Sequence, residues 1–291
     1  DVCNELRRIR QAVERGESGA PPAGFPPLRS SSNHPHNLPQ QLTSFVGREK
    51  ETAELQALLQ RCRLLTLTGS GGTGKSRLSL RVASNTLEQY PDGAWLVELA
   101  PLADPRLVAS NVADVLGVKE SAGTPILESL AESLKGKRLL IVLDNCEHLL
   151  DSCARLAESL LRGCPNVQIL ASSREALGIT GEQTYRVPSL SLPDPSKPQT
   201  AESLSQVEAA LLFIDRAVLV KPDFEVTNQT APALASLCFH LDGMPLAIEL
   251  AAARMRSLTV DEIDKRLDQR FRLLTGGSRT ANAAESSVRS R

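Results

Sequence analysis

The stretch Gly69-Ser-Gly-Gly-Thr-Gly-Lys-Ser76 has two glycines, a lysine and a serine at the spacing of a phosphate-binding loop. The glycines allow a tight loop whose N–H groups, with the N-terminus of the next helix, can bind an anion. Lys75 is expected to reach the β- and γ-phosphates of a nucleotide, and Ser76 to place its hydroxyl on Mg²⁺. The loop residues predicted to contact the nucleotide are Gly69, Ser70, Gly71, Gly72, Thr73, Gly74, Lys75, Ser76 and Arg77.

The sequence around this loop has the order strand, loop, helix that phosphate binding requires. Residues 63–68 form an apolar, β-branched run typical of a buried strand, and residues 75–88 have the apolar spacing of a helix. Strand and helix patterns then alternate, which predicts an α/β fold with a parallel sheet covered by helices on both faces, as in P-loop NTPases. The five predicted strands span residues 63–68, 93–99, 138–143, 167–172 and 183–187.

The rest of the chain divides by composition. Residues 17–44 are rich in Pro and Ser and are predicted to be a linker after the end of a preceding domain at 1–16. The P-loop NTPase domain is assigned to 45–190, and a second, proline-containing linker to 191–204. Residues 205–275 carry only helical patterns and are predicted to form a small all-helical lid domain, before an unpatterned tail at 276–291.

Charge and hydropathy favour a soluble, cytoplasmic protein. The net charge is −1, and no apolar run approaches the roughly 20 residues of a membrane-spanning helix. Arg266 and Arg270 lie on a predicted helix, but Asp264 and Asp268 are interleaved with them, a pattern more typical of a solvated face. We therefore expect no membrane association and no direct nucleic-acid binding by this segment.

Two further charged residues follow predicted strands. Asp144 ends the apolar run at 140–144, at the carboxyl edge of the sheet where ligands of open parallel sheets bind, and is the expected partner of Mg²⁺ together with Ser76. Arg174 follows the strand that ends near Ser172, so it could point at the γ-phosphate and distinguish ATP from ADP.

The residue after Asp144 is unusual for an ATPase. Asn145 occupies the place where many ATPases carry a second acid that orients the attacking water. Glu147 is the next candidate for a general base, and it could equally be a capping residue at the start of the following helix. Both alternatives remain open at this point, and rapid hydrolysis is not expected.

Several ordered signatures together resemble the signal-transduction ATPases with numerous domains (STAND), in the bacterial branch found in LuxR-type regulators and adenylate cyclase-linked ATPases. The resemblance covers about residues 25–280. The signatures are Asn37-Leu-Pro-Gln-Gln-Leu-Thr-Ser-Phe-Val-Gly-Arg-Glu49, the phosphate-binding loop, Leu143-Asp-Asn-Cys-Glu-His148, Ala171-Ser-Ser-Arg174 and Gly243-Met-Pro-Leu-Ala-Ile-Glu-Leu-Ala-Ala-Ala253.

This resemblance implies further site residues and partners. Val46, Gly47 and Arg48 would line the adenine pocket through their backbones, Pro245 would cover the base, and Arg174 would sense the third phosphate. Pro245 also suits an ordinary first helical turn. The family continues with a winged-helix domain and helical repeats, and the match here stops after residues 276–280. The implied partners are those domains, a cyclase or DNA-binding domain, and other copies of the chain upon ATP binding.

The sequence thus favours an ATP/ADP-binding signalling switch with slow Mg²⁺-dependent hydrolysis, within a larger bacterial transcriptional regulator or cyclase-linked protein. Two alternatives remain. One is a truncated or frameshifted nucleotide-binding fragment with no switching output, because the tail lacks hydrophobic periodicity. The other is a small-molecule phosphotransferase, for which no acceptor motif is evident apart from Glu147.

Overall fold

The computed structural model describes residues 34–120 and 123–269. Its described part contains a five-stranded parallel sheet with the strand order β2-β3-β4-β1-β5. The strands are β1 (Leu64–Thr68), β2 (Ala94–Glu98), β3 (Leu140–Asp144), β4 (Gln168–Ser172) and β5 (Glu182–Arg186). All five predicted strands are confirmed, because buried parallel strands read as continuous apolar runs bounded by turn residues.

The pairing brings the strand ends that carry chemistry to one edge of the sheet. β1 lies between β4 and β5, with Leu65 opposite Leu170 on one side and Gln183 on the other. β3 pairs with β2 and β4, so the carboxyl ends of β1, β3 and β4 are neighbours. The phosphate-binding loop and Asp144 are therefore placed at the same edge by topology alone.

Helices cover both faces of the sheet. Ile141 and Leu143 pack into a core on one face, and Leu140 and Val142 into a separate core on the other, as the two-residue period of a strand requires. The helices are α1 (Glu49–Leu59), α2 (Lys75–Thr86), α3 (Val108–Leu116), α4 (Ile126–Leu134) and α5 (Leu150–Gly163). α1 and α2 contribute to the second core, and α3, α4 and α5 to the first. The predicted α/β P-loop NTPase architecture is confirmed.

The remaining described chain is helical and has a third core of its own, centred on Phe213, Leu234 and Ile248. Its helices are α6 (Ala201–Leu204), α7 (Glu208–Val220), α8 (Ala231–His240), α9 (Pro245–Ala252) and α10 (residues 260–269). No helix in either described range is long and apolar enough to cross a membrane.

The structure differs from the predicted second linker, because residues 191–204 end in helix α6. The side chain of Thr200 accepts a hydrogen bond from the N–H of Ser203, and that of Ser203 accepts one from the N–H of Thr200, a reciprocal cap that stabilises this turn. Leu204 is fully buried in the helical core. A four-residue helix is too short to show periodicity, so the pattern missed it.

The structure also differs from the predicted first linker, because residues near 36 pair with the edge of the sheet. His36 forms a parallel bridge with Ala94, and the Asn37 side chain exchanges hydrogen bonds of 2.8 and 2.6 Å with the carbonyl and N–H of Leu96. The Asn37 side chain thus holds this segment against β2, a contact that the composition of the segment does not predict. The predicted segments 1–16 and 276–291, with 17–33 of this linker, lie outside the described residues.

Candidate nucleotide-binding site

The phosphate-binding loop joins β1 to α2 through glycines in left-handed conformations. Gly69, Gly72 and Gly74 have φ values of +145°, +83° and +87°, a region that other residues adopt only with strain. Gly74 caps helix α2, which begins at Lys75, without any side-chain hydrogen bond at this end. The first N–H groups of α2 are therefore left for another acceptor.

The donors of this loop fit a phosphate group. Within the two described ranges, the N–H groups of residues 71–76 donate to no protein acceptor. A row of such N–H groups at a helix N-terminus is a binding site for an anion. The residues present therefore fit the phosphates of a nucleotide.

Lys75 is buried and held against the loop. Its Nζ donates hydrogen bonds of 2.9 and 3.0 Å to the carbonyls of Gly69 and Ser70. Burial lowers the pKa of Lys75, while the negative charges of Glu147 and Asp144 oppose this shift and the positive charge of Arg174 adds to it. The four residues predicted for catalysis thus lie near enough to influence one another.

Asp144 ends β3 beside Ser172 at the end of β4. The Ser172 hydroxyl donates to the Asp144 carboxylate and accepts the N–H of Asn145 at 2.9 Å. The sequence analysis assigned no role to Ser172, although this residue lies in the signature Ala171-Ser-Ser-Arg174 at the end of β4. The oxygens of Asp144 and Ser76 are the ligand type that Mg²⁺ prefers. They fit a Mg²⁺ ion that would neutralise phosphate charge.

Glu147 and Arg174 form an ion pair, with 3.4 Å between Glu147 Oε1 and Arg174 Nε. The Arg174 side chain is 69% exposed and that of Glu147 only 19%. The second carboxylate oxygen of Glu147 is buried and has no hydrogen-bond partner in the described part of the chain. Helix α5 is capped by Leu149 without a side-chain hydrogen bond. Glu147 therefore makes no capping hydrogen bond to α5, although it lies in the first turn of the short 3-10 helix Cys146–His148 that precedes it.

A cavity of about 270 Å³ joins the loop to the helical region. The predicted site residues that line it are Val46, Arg48, Gly71, Gly72, Thr73, Gly74, Lys75, Ser76, Arg77, Glu147 and Pro245. The predicted residues Gly47, Gly69, Ser70, Asp144 and Arg174 do not belong to the lining. Leu190 and Leu212 add apolar surface from the helical side, so the cavity combines a polar loop with an apolar end.

Arg48 connects the segment before α1 to the loop. Its side chain is buried, with Nη1 3.1 Å from the Glu51 carboxylate and Nη2 3.2 Å from the carbonyl of Thr73. Its backbone N–H donates to Glu208 Oε1 at 2.6 Å. The backbone donor of Arg48, predicted to face the adenine, is thus taken by a residue of α7.

Arg77 takes part in a polar network that the sequence did not reveal. Its guanidinium lies 3.2 Å from Glu249 of α9 and donates to the carbonyl of Ser44 at 2.9 Å. Arg216 of α7 contacts the same two residues, at 3.0 Å each. The adjacent charges Asp215 and Arg216 within the apolar run 209–220 of α7 were the signal available. The structure thus shows Arg77 in ion pairing between helices as well as in the cavity lining.

A parallel sheet with a glycine loop at its carboxyl edge, a lysine in that loop and an aspartate on the adjacent strand defines the class: the chain has the P-loop NTPase fold. Residues 55–179 match the sequence profile of an AAA domain.

Curated relatives are regulators and an unassigned protein. The chain is 45% identical over 235 residues to a "Putative HTH-type transcriptional regulator" of Mycobacterium tuberculosis, covering 81% of this chain and 25% of that protein. It is 41% identical over 253 residues to an "Uncharacterized protein" of the same organism, covering 87% and 61%. It is 28% identical over 304 residues to the "Regulatory protein AfsR" of Streptomyces griseus, covering 97% and 29%. The chain therefore spans between a quarter and about three fifths of these relatives.

Proposed function

We propose that this chain binds ATP and ADP with Mg²⁺ and acts as a nucleotide-operated switch of the STAND type within a larger cytoplasmic transcriptional regulator. The main support for this proposal is that the phosphate-binding loop and helix α9 line the same cavity. Leu246 donates its N–H to the carbonyl of Gly72 at 3.2 Å, and a Cβ on Gly72 would lie 3.0 Å from the Leu246 Cβ. A ligand that moves this loop acts directly on the helical region.

Slow hydrolysis is part of the proposal. Asn145 lines the cavity where many ATPases have a second acid, and an amide cannot accept a proton from water. Apart from the proposed Mg²⁺ ligand Asp144, Glu147 is the carboxylate whose charge acts on Lys75, and it is held in an ion pair with Arg174. Such a site favours retention of the nucleotide over rapid turnover, which suits a switch that persists in one state.

The regulator context is proposed from the relatives. Output would come from domains outside this chain, such as winged-helix and helical-repeat domains or a DNA-binding or cyclase domain. ATP binding would favour association of copies through those parts. The "HTH-type" relative, of which this chain spans a quarter, supports a regulator of transcription.

The test is nucleotide binding by the purified chain and by the Lys75→Ala variant. We expect Mg²⁺-ATP and Mg²⁺-ADP to bind, and the variant to lose affinity by roughly 10- to 100-fold because a charged hydrogen-bond donor is lost. Lys50→Ala is the matched control, since the Lys50 side chain is 83% exposed on α1. Undiminished binding by Lys75→Ala, or fast steady-state hydrolysis by the unaltered chain, would refute the proposal. Release of ADP from ATP that depends on an added acceptor, with the phosphoryl group recovered on that acceptor, would instead indicate a phosphotransferase.

A further inference from the structure

Glu208, the first residue of α7, joins the helical region to the segment that precedes α1. Its Oε1 accepts the N–H of Arg48 at 2.6 Å, and its Oε2 accepts the N–H of Ser191 at 2.9 Å. The N–H of Glu208 in turn donates to the Ser191 hydroxyl at 3.1 Å. Both carboxylate oxygens therefore have backbone N–H donors that come from two different parts of the chain.

Gly47 is shaped to this carboxylate. Its φ is +69°, and a Cβ added there would lie 2.6 Å from Glu208 Oε1 and 2.8 Å from Glu208 Cγ. Any larger residue would therefore have to displace the Glu208 side chain as well as adopt a strained backbone. The requirement for glycine at 47 is a consequence of the close approach of Glu208.

Within the described part of the chain, the arrangement leaves the backbone of Val46 unpaired beside the cavity. Val46 lines the cavity, and its N–H and C=O have no hydrogen-bond partner in residues 34–120 or 123–269. A purine base carries a hydrogen-bond donor and an acceptor side by side on its edge, which matches a backbone N–H and C=O pair. The Arg48 N–H, occupied by Glu208, is not available for that purpose.

We propose that Glu208 is the positioning residue for the base of the bound nucleotide: its carboxylate fixes residues 46–48 so that the backbone of Val46 contacts the base. This inference rests on the proposed nucleotide binding. Both of its partners are N–H donors, so two acceptor oxygens are needed. An amide supplies only one acceptor, and its NH₂ group would face an N–H.

The test compares Glu208→Gln with the unaltered chain for two ligands, Mg²⁺-ATP and inorganic tripolyphosphate. We expect Glu208→Gln to lower the affinity for ATP about tenfold while leaving that for tripolyphosphate unchanged, because tripolyphosphate has no base. Lys75→Ala should weaken both ligands. Glu202→Gln is the control, because Glu202 is exposed on the neighbouring helix α6 and should leave both affinities unchanged. An unchanged ATP affinity in Glu208→Gln, or an equal loss for both ligands, would overturn the inference.

A double-mutant cycle gives an independent reading. Gly47→Ala should weaken ATP binding more in the unaltered chain than in the Glu208→Ala background, where the obstructing carboxylate is gone. Equal effects in the two backgrounds would contradict the contact between the two positions. If the unaltered chain binds no ATP at all, the proposed function fails, which differs from the case in which ATP binds and Glu208 does not matter.

Discussion

At the scale of single residues, Arg174 and Glu147 constrain each other. The Arg174 side chain is 69% exposed, and within residues 34–120 and 123–269 its one ion pair is with the Glu147 carboxylate at 3.4 Å. Because the Arg174 end of this ion pair is exposed while Glu147 is mostly buried, it is the guanidinium that can turn towards a bound phosphate. Arg174 is therefore available to a third phosphate even though it does not line the cavity.

The first prediction concerns this choice of partner. Arg174→Ala should lower the affinity for Mg²⁺-ATP about tenfold and leave that for Mg²⁺-ADP unchanged, because ADP lacks the γ-phosphate. Titration calorimetry with both nucleotides measures the effect. Arg162→Ala is the control, since Arg162 is likewise an exposed arginine paired with a glutamate, Glu158 on α5. Equal losses for ATP and ADP would exclude a role specific to the third phosphate.

The second prediction concerns Glu208 and pH. Burial raises the pKa of Glu208, but hydrogen bonds from the N–H groups of Ser191 and Arg48 lower it by more. The net pKa is therefore below the usual value of a glutamate. A depressed carboxylate pKa gives stability that is present above the unfolded pKa of about 4.3 and is lost as pH falls through the lower folded value. Because Glu208 remains partly exposed to solvent, the contribution should be about 1 kcal/mol.

Denaturant unfolding of the unaltered chain and of Glu208→Gln between pH 3 and 7 measures the contribution of the Glu208 charge to stability. The difference in unfolding free energy should be constant above about pH 5 and shrink below about pH 4, where the unaltered Glu208 becomes protonated and resembles the amide. A difference that persists unchanged at pH 3 would show that charge at Glu208 is not its cause.

Residue patterns could predict only part of the site. The glycine loop, Lys75, Ser76 and Asp144 follow from local spacing, because the loop and the strand ends have local sequence signatures. Glu208 and Arg48 are 160 residues apart, and the Arg216 contact with Ser44 spans 172 residues. The spacing of residues along the sequence does not predict contacts at such separations, so the roles of these residues are identified only in the folded structure.

At the scale of elements, the start of α9 depends on a turn at Gly243. Its φ is +63°, and its carbonyl accepts the N–H of Leu190 at 2.9 Å. A Cβ there would lie 2.5 Å from the Leu190 carbonyl oxygen. The turn fixes where Pro245 and Leu246 enter the cavity wall.

The third prediction separates backbone strain from this close approach. Gly243→Ala should lower the free energy of unfolding by about 3 kcal/mol, of which about 1 reflects the left-handed backbone and the rest the clash. Gly178→Ala should cost only about 1 kcal/mol, because Gly178 has a similar φ of +76° and open space around its Cβ. Denaturant midpoints measure both values. Equal costs would show that the Leu190 carbonyl yields to a side chain.

Elements differ in how well the sequence predicts them. β3 and β4 are buried on both faces and appear as unbroken apolar runs, and α5 shows a clear apolar stripe, so their positions were predicted to within a few residues. Helix α6 and the pairing of His36 with Ala94 were not, because each rests on a few polar hydrogen bonds. The spacing of apolar residues in the sequence predicts helices and strands that pack against a core. Capping and edge contacts are made by polar groups, so apolar spacing does not predict them.

At the scale of the whole molecule, polar contacts join the helical region to the sheet layer around the cavity. The N–H of Arg48 donates to Glu208, and the carbonyl of Gly72 accepts the N–H of Leu246. The Glu249 carboxylate forms ion pairs with both Arg77 and Arg216. The hydrophobic clusters of the two regions are otherwise separate. Because the joining contacts surround the proposed nucleotide site, bound nucleotide should make the two regions unfold as one unit.

The fourth prediction tests this coupling through Glu249. Mg²⁺-ADP at about 100 times its dissociation constant should stabilise the unaltered chain by about 2.7 kcal/mol, a rise of roughly 5–10 °C in its melting temperature. Glu249→Ala should destabilise the chain by about 1 kcal/mol, because Arg216 and Arg77 both lose a carboxylate partner while Arg216 keeps its ion pair with Asp215. It should also show a smaller ADP-induced rise at equal saturation, since the helical region is then tied less firmly to the nucleotide.

Glu225→Ala is the matched control, because Glu225 is exposed in the same helical region. Calorimetric scans with and without Mg²⁺-ADP distinguish two kinds of stabilising contact. If Glu249 only contributes packing energy, the variant melts earlier but gains as much from ADP as the unaltered chain does. If the Arg77–Glu249–Arg216 network transmits nucleotide binding to the helical region, the gain itself falls, and the helical region melts first in a separate transition.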